Sequence, residues 1–185
     1  MSSNVGKTTL VCELLNAFPG WEAIKTTRGH YRSCGKDSEA CCVSNLLSNE
    51  PVLRSGRQET FTVGKDTGRY WDAGASNVHW VIATDAQVEK GIKLALERVK
   101  SEGVFVEGNS FSEYVSTNYF LMVRRPELAT IKKSARRALA KTSAIYVSSP
   151  LLDGSALITA EVKDLPVFTP SDLLTLIEQL RKAAK

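Results

Sequence analysis

The apolar positions change period several times along the chain, and each change marks a predicted element. From Lys7, the residues Leu10, Val11, Leu14, Leu15 and Phe18 fall on one helical stripe that stops at Pro19-Gly20. Trp21 to Thr26 reads as a short strand, and Thr27 to Arg32 as a polar, basic loop. From Ser33 to about Glu59 no period holds, although Cys41 to Leu47 has the composition for one or two helical turns. This span is expected to leave the core as an irregular excursion at about 33–60. Phe61-Thr62-Val63 reads as an edge strand. Gly64 to Ala75 reads as a loop, a short helix and a stop.

The second half alternates more regularly. Asn77 to Ala83 predicts a strand, Asp85 a helix cap, and Val88, Ile92, Ala95, Leu96 and Val99 a helical stripe. Gly103 to Gly108 predicts a strand that ends in a carboxylate, Glu107. Tyr119 to Val123 is a further strand, closed by Arg124-Arg125-Pro126. Leu128, Ile131, Ala135, Ala138 and Leu139 mark a helix, and Ser143 to Val147 the next strand. Ala156 to Val162 is expected to pair as a hairpin arm or cover strand, and Leu165 to Phe168 forms a short strand. Thr169-Pro170-Ser171-Asp172 has the order of a helix start, with a capping residue, a proline in the first turn and an acid three residues on. Leu173, Leu174, Ile177 and Leu180 then give the apolar stripe of a last helix. Short apolar strands alternating with amphipathic helices predict an α/β fold in three layers, α/β/α, around a mostly parallel sheet.

Composition narrows this picture modestly. A chain of 185 residues is expected to form one domain spanning 1–185. Its net charge of +4 suits an anionic ligand but is too small to point to nucleic acid. No apolar run reaches membrane-spanning length, and the start has no apolar core of a signal peptide. The expected compartment is the cytoplasm, with Cys12, Cys34, Cys41 and Cys42 reduced.

The stretch that carries chemistry opens the chain. Asn4-Val5-Gly6-Lys7-Thr8-Thr9 matches the second half of the phosphate-binding loop pattern G-x-x-x-x-G-K-[ST]. Gly6 lets main-chain N–H groups close around phosphate oxygens, Lys7 reaches the terminal phosphates, and the Thr8 hydroxyl serves Mg²⁺. A helix that starts here aims its positive end at the anion. The first glycine of the pattern falls on Met1, and the strand that feeds such a loop is missing from this chain. A start codon assigned too far downstream, or a fragment, accounts for both. The bland alternative is an ordinary amphipathic helix with a polar start.

Ligands in parallel α/β folds sit beyond the carboxyl ends of the strands. Glu107 follows Val-Phe-Val and is placed there to hold Mg²⁺, directly or through water. Asp66 either approaches the same metal or caps the short helix that follows it. The set His30, Cys34, Cys41 and Cys42 has donor atoms for a soft metal but lacks a C-x-x-C pair, so reduced cysteines in a loop are the preferred reading. Arg124, Arg125, Lys132, Lys133, Arg136, Arg137 and Lys141 cluster around one helix. They read as a solvated face, with Arg124 as the exception at a strand tip. No Asn-Lys-x-Asp stretch identifies guanine, and Ser148-Ser149 falls where a base-contacting loop is expected.

Together these pieces resemble the MobB family of molybdopterin-guanine dinucleotide biosynthesis. The matching stretches are Gly6 to Leu10, Ala23 to His30, Gly64 to Thr67 with Asp72 to Ala75, and Val106-Glu107-Gly108, followed by the closing Leu-Pro-Val-Phe. The resemblance implies a P-loop NTPase fold that binds GTP, or ATP, with Mg²⁺ and hydrolyses it weakly. It implies a homodimer working beside a guanylyltransferase. It places Lys7 and Thr8 on phosphate and Mg²⁺, with Asp66 and Glu107 lining the site. The sequence departs from the family where a His-rich loop is reduced to Thr26-Thr27-Arg28-Gly29-His30, and where 34–59 runs long. The expected function is that of a GTP-binding accessory protein. The alternatives are a P-loop small-molecule kinase or ATP-dependent ligase, and a non-enzymatic scaffold.

Overall fold

The computed structural model describes residues 5–29, 46–125, 133–148 and 164–185. The chain is α/β, with mostly parallel strands, and divides into two compact units. One is 11–115. The other joins 1–10 to 116–185, and the division falls inside the first helix.

That helix, α1 (Lys7–Ala17), buries Leu10, Leu14 and Leu15, with Phe18 buried just beyond its end, as the periodicity predicts. In the 11–115 unit it leads to β1 (Glu22–Arg28), β2 (Val52–Ser55), the single turn α2 (Arg57–Thr60), α3 (Asp66–Asp72), β3 (Val78–Ala83), α4 (Val88–Glu97) and β4 (Val104–Glu107). The sheet order is β2-β3-β1-β4. β1 runs parallel to β3 and β4, while β2 is antiparallel at the edge. Because side chains alternate across a strand, Val78 and Val81 face opposite sides. Val78 packs with Tyr70 and Ala73 of the α3 segment and with Leu15 of α1. On the other side α4 comes so close that a Cβ on Gly91 would lie 2.7 Å from Val81 Cγ1. Helices therefore cover both faces of this sheet. The near-continuous burial of β3 is the mark of a strand enclosed on two sides.

The other unit contains β5 (Leu121–Arg124), α5 (Lys133–Leu139), β6 (Ala144–Val147), β7 (Val167–Phe168) and α6 (Leu173–Ala183). Its sheet is all parallel, in the order β5-β6-β7, and every residue of the central β6 is buried. Leu139 and Leu165 pack against Ile145 and Val147 of that strand.

Several expectations are corrected. Phe61-Thr62-Val63 is not a strand, and Val63 is 82% exposed. The antiparallel edge strand is β2 instead, inside the span expected to be irregular. Val52 and Leu53 find partners in Ile82 and Val81, which four residues with no visible period could not announce. Asp85 does not cap α4, which starts three residues later. The main-chain N–H of Thr84 instead donates to Gln87 Oε1 at 3.0 Å, and Asp85 pairs with Arg28. Thr27 and Arg28 belong to β1 rather than to a loop. Leu174 is 77% exposed, and the buried stripe of α6 is Leu176, Ile177 and Leu180. The predicted Ala156–Val162 arm lies outside the described residues, as do Leu128 and Ile131. Among the described residues no helix is long and apolar enough to cross a membrane.

Candidate functional site

Two parts of the molecule hold the residues singled out from the sequence, one in each unit. In the first, Val5 is buried and Gly6 adopts φ +88°, after which the chain enters α1 with Lys7 and Thr8 half-buried in its first turn and Thr9 exposed. The Leu10 N–H closes the first helical bond, to the Gly6 carbonyl, at 3.0 Å. Only glycine takes this left-handed conformation without cost. A Cβ at this position would also lie 2.7 Å from Ser148 Cβ. Two independent constraints thus select glycine at the mouth of the helix. Asn4 lies outside the described residues, as do Ser149 and the set His30, Cys34, Cys41 and Cys42.

The second part lies at the carboxyl end of β4, beside the middle of β1. The parallel register sets Lys25 directly beside Glu107. Lys25 Nζ lies 2.5 Å from Glu107 Oε1 and 2.7 Å from Asp66 Oδ2, so one ammonium group bridges two carboxylates. The second oxygen of Glu107 accepts the phenolic O–H of Tyr70. Burial, together with the adjacent Glu107 charge, pushes the Tyr70 pKa well above the usual phenol range, so this hydroxyl stays a donor. Glu107 is 5% exposed and Lys25 15%, whereas Asp66 is 45% exposed and forms the open side of the group. The Thr26 hydroxyl donates to the Glu107 carbonyl at 3.0 Å. Any side chain on Gly108 would collide with that hydroxyl, since a Cβ there falls 1.8 Å from Thr26 Oγ1. The Gly after Glu107 therefore lets β1 and β4 approach where the acid is held.

Asp66 is the first residue of α3, just after the N-cap residue Lys65, and it forms an ion pair with Lys25. Nearby, the Cys12 thiol donates to the Arg69 carbonyl at 3.6 Å, and burial raises its pKa, which favours the thiol over the thiolate.

No protein-family model, curated protein or solved structure matches this chain. The site is therefore defined by its own chemistry. Sequence reasoning found Asp66 and Glu107 but missed Lys25 and Tyr70. Lys25 had a readable signal. A lysine in the middle of Ala23-Ile24-Lys25-Thr26, on a strand bound for a covered sheet, requires a carboxylate partner. Tyr70 had none, because its partner lies 37 residues away on another element.

Among the described residues, no group of three or more His, Cys, Asp and Glu side chains converges on one point. The acids at hand are a pair that closes on a single positive charge. Such a pair fits a cation that brings its own further ligands. Mg²⁺ is usually bound in this way, through one or two carboxylates plus phosphate oxygens and water.

Proposed function

We propose that this protein binds a purine nucleoside triphosphate with Mg²⁺ and hydrolyses it slowly, as a P-loop NTPase of the MobB kind. In that reading it acts as a homodimeric, GTP-binding accessory to a guanylyltransferase in molybdenum cofactor synthesis. The observation that carries the reading is Gly6. A left-handed glycine opens an eleven-residue helix whose first two residues are Lys7 and Thr8. That is the conformation a phosphate-cradling backbone needs, followed by the ammonium and hydroxyl that serve phosphate and metal.

Each residue then has a part. Lys7 holds phosphate oxygens and stabilises charge that builds on the β–γ bridge. The Thr8 hydroxyl is the metal-facing group that follows the loop. Mg²⁺, when bound, neutralises phosphate charge and orients the terminal phosphoryl group. Asp66 is the more exposed acid and is suited to orienting a water molecule. Tyr70 and Lys25 fix the Glu107 carboxylate on both oxygens, so it does not rotate.

Calorimetry with GTP and with ATP, each with Mg²⁺, tests the proposal. Saturable heat with one nucleotide, weakened by at least about 10-fold in Lys7→Ala, is the expected result. No heat with either nucleotide, or unchanged affinity in Lys7→Ala, would refute it. Transfer of phosphate to an acceptor other than water would make the protein a kinase on the same scaffold.

A further inference from the structure

At the opposite end of the β2-β3-β1-β4 sheet lies a second polar chain that plays no part in the proposed nucleotide chemistry. Ser55 ends β2, His79 is the second residue of β3, and Glu22 starts β1. The antiparallel register places Ser55 directly opposite His79. Ser55 Oγ is 2.9 Å from His79 Nδ1, and His79 Nε2 is 2.7 Å from Glu22 Oε2. Asn77 Nδ2 stands 3.5 Å from the same Nε2. The other Glu22 oxygen accepts the main-chain N–H groups of Lys100 and Ser101 at 2.8 and 2.9 Å. Burial alone would raise the Glu22 pKa, but the hydrogen bonds from His79, Lys100 and Ser101 outweigh it and leave it lowered. The carboxylate is therefore ionised, and an ionised carboxylate is an acceptor only. His79 must then carry its proton on Nε2, which leaves Nδ1 with a lone pair toward the Ser55 hydroxyl. His79 is 1% exposed, whereas Ser55 is only half-buried. Arg98 extends a guanidinium N–H to Ser55 Oγ at 3.2 Å.

We propose that Ser55, His79 and Glu22 form a nucleophilic relay and that Ser55 accepts acyl groups from small carboxylic esters. A buried carboxylate fixes the imidazole tautomer, the imidazole is the base, and the hydroxyl is the group that reaches solvent. In the acylation step the Ser55 Oγ–carbonyl carbon bond forms and the bond from carbon to the leaving alkoxy oxygen breaks. The Ser55 proton passes to His79 Nδ1 and then to that leaving oxygen, which departs as an alcohol. Water repeats the sequence in reverse, releases the carboxylic acid and restores Ser55. The Arg98 guanidinium, 3.2 Å from Ser55 Oγ, supplies positive charge beside the group where the oxyanion develops.

The test is labelling of the full chain with an alkyl fluorophosphonate, which traps such a serine with loss of fluoride, followed by peptide mass mapping. The expected result is one adduct, on Ser55, formed at a rate that depends on Glu22. Ser55→Ala should abolish the adduct while leaving the circular dichroism spectrum unchanged. Glu22→Gln should slow labelling by about 100-fold, within the usual range for general base catalysis. Absence of an adduct on Ser55 in folded protein overturns the proposal. So does labelling of Ser55 that is unaffected by Glu22→Gln, since that is ordinary hydroxyl reactivity.

Discussion

Among single residues, Lys25 has the most to reveal. It is held by one buried and one half-exposed carboxylate, and its removal takes the partner from Glu107 Oε1 while the Tyr70 hydroxyl still donates to the other oxygen. Lys25→Met should destabilise the protein by about 3 kcal/mol, the usual cost of breaking a buried pair from one side. A shift of the urea midpoint at constant slope measures this. Tyr70→Phe removes only a hydroxyl and should cost about 1–2 kcal/mol by the same measurement. At Gly6 the two constraints add. Gly6→Ala must take both the left-handed backbone and the approach to Ser148, so nucleotide affinity should fall even though Lys7 and Thr8 are intact. Calorimetric affinity equal to that of the wild type would show that the loop need not be tight.

At the scale of elements, the long periodic segments were legible and the short ones were not. α1, α4 and β3 each run for six residues or more with apolar positions at one period, and the sequence places them within a residue or two. β2 has four residues and no alternation in its burial, so nothing local distinguishes it from loop. Its strand character comes from its neighbour. Phe61-Thr62-Val63 erred in the other direction, since local β-propensity counts for little without a paired neighbour, and no described strand pairs with it. The capping box was read correctly because its chemistry is local, although it opens a 3-10 turn, Pro170–Asp172, that leads into α6. The Thr169 N–H and hydroxyl both donate to Asp172 Oδ2, at 2.9 and 2.6 Å. These bonds lower the Asp172 pKa. Asp172→Ala should therefore fray the first turn of α6, seen as lost amide-exchange protection at 173–176 with little change elsewhere. Of the candidate site, the two acids could be read from strand tips and glycines. The lysine that joins them needed the β1–β4 register, which no single stretch contains.

For the whole molecule, two buried titratable groups bound the pH range of stability. The Glu22 pKa is lowered in the folded protein, so its contribution is complete above the ordinary glutamate value of 4.5 and is lost as pH falls through the lowered one. The Tyr70 pKa is raised, so folding holds a proton that the unfolded chain releases. Its contribution is complete below the ordinary value of 10.0 and declines as pH rises beyond it. Urea midpoints should form a plateau between these limits. Glu22→Gln should flatten the acid edge and Tyr70→Phe the alkaline one. An acid edge unmoved by Glu22→Gln would assign it to other carboxylates.

The division of the chain has an optical consequence. All three tryptophans, Trp21, Trp71 and Trp80, fall within 11–115, and the unit that joins 1–10 to 116–185 has none. Trp21 sits against Phe18 and Phe105, while the indole N–H groups of Trp71 and Trp80 are bonded to Thr60 and Thr27. Intrinsic indole emission is thus a built-in reporter of one half of the polypeptide. Far-ultraviolet ellipticity reads both halves. If the two melt independently the curves will separate, and coincident curves will show that they melt as one.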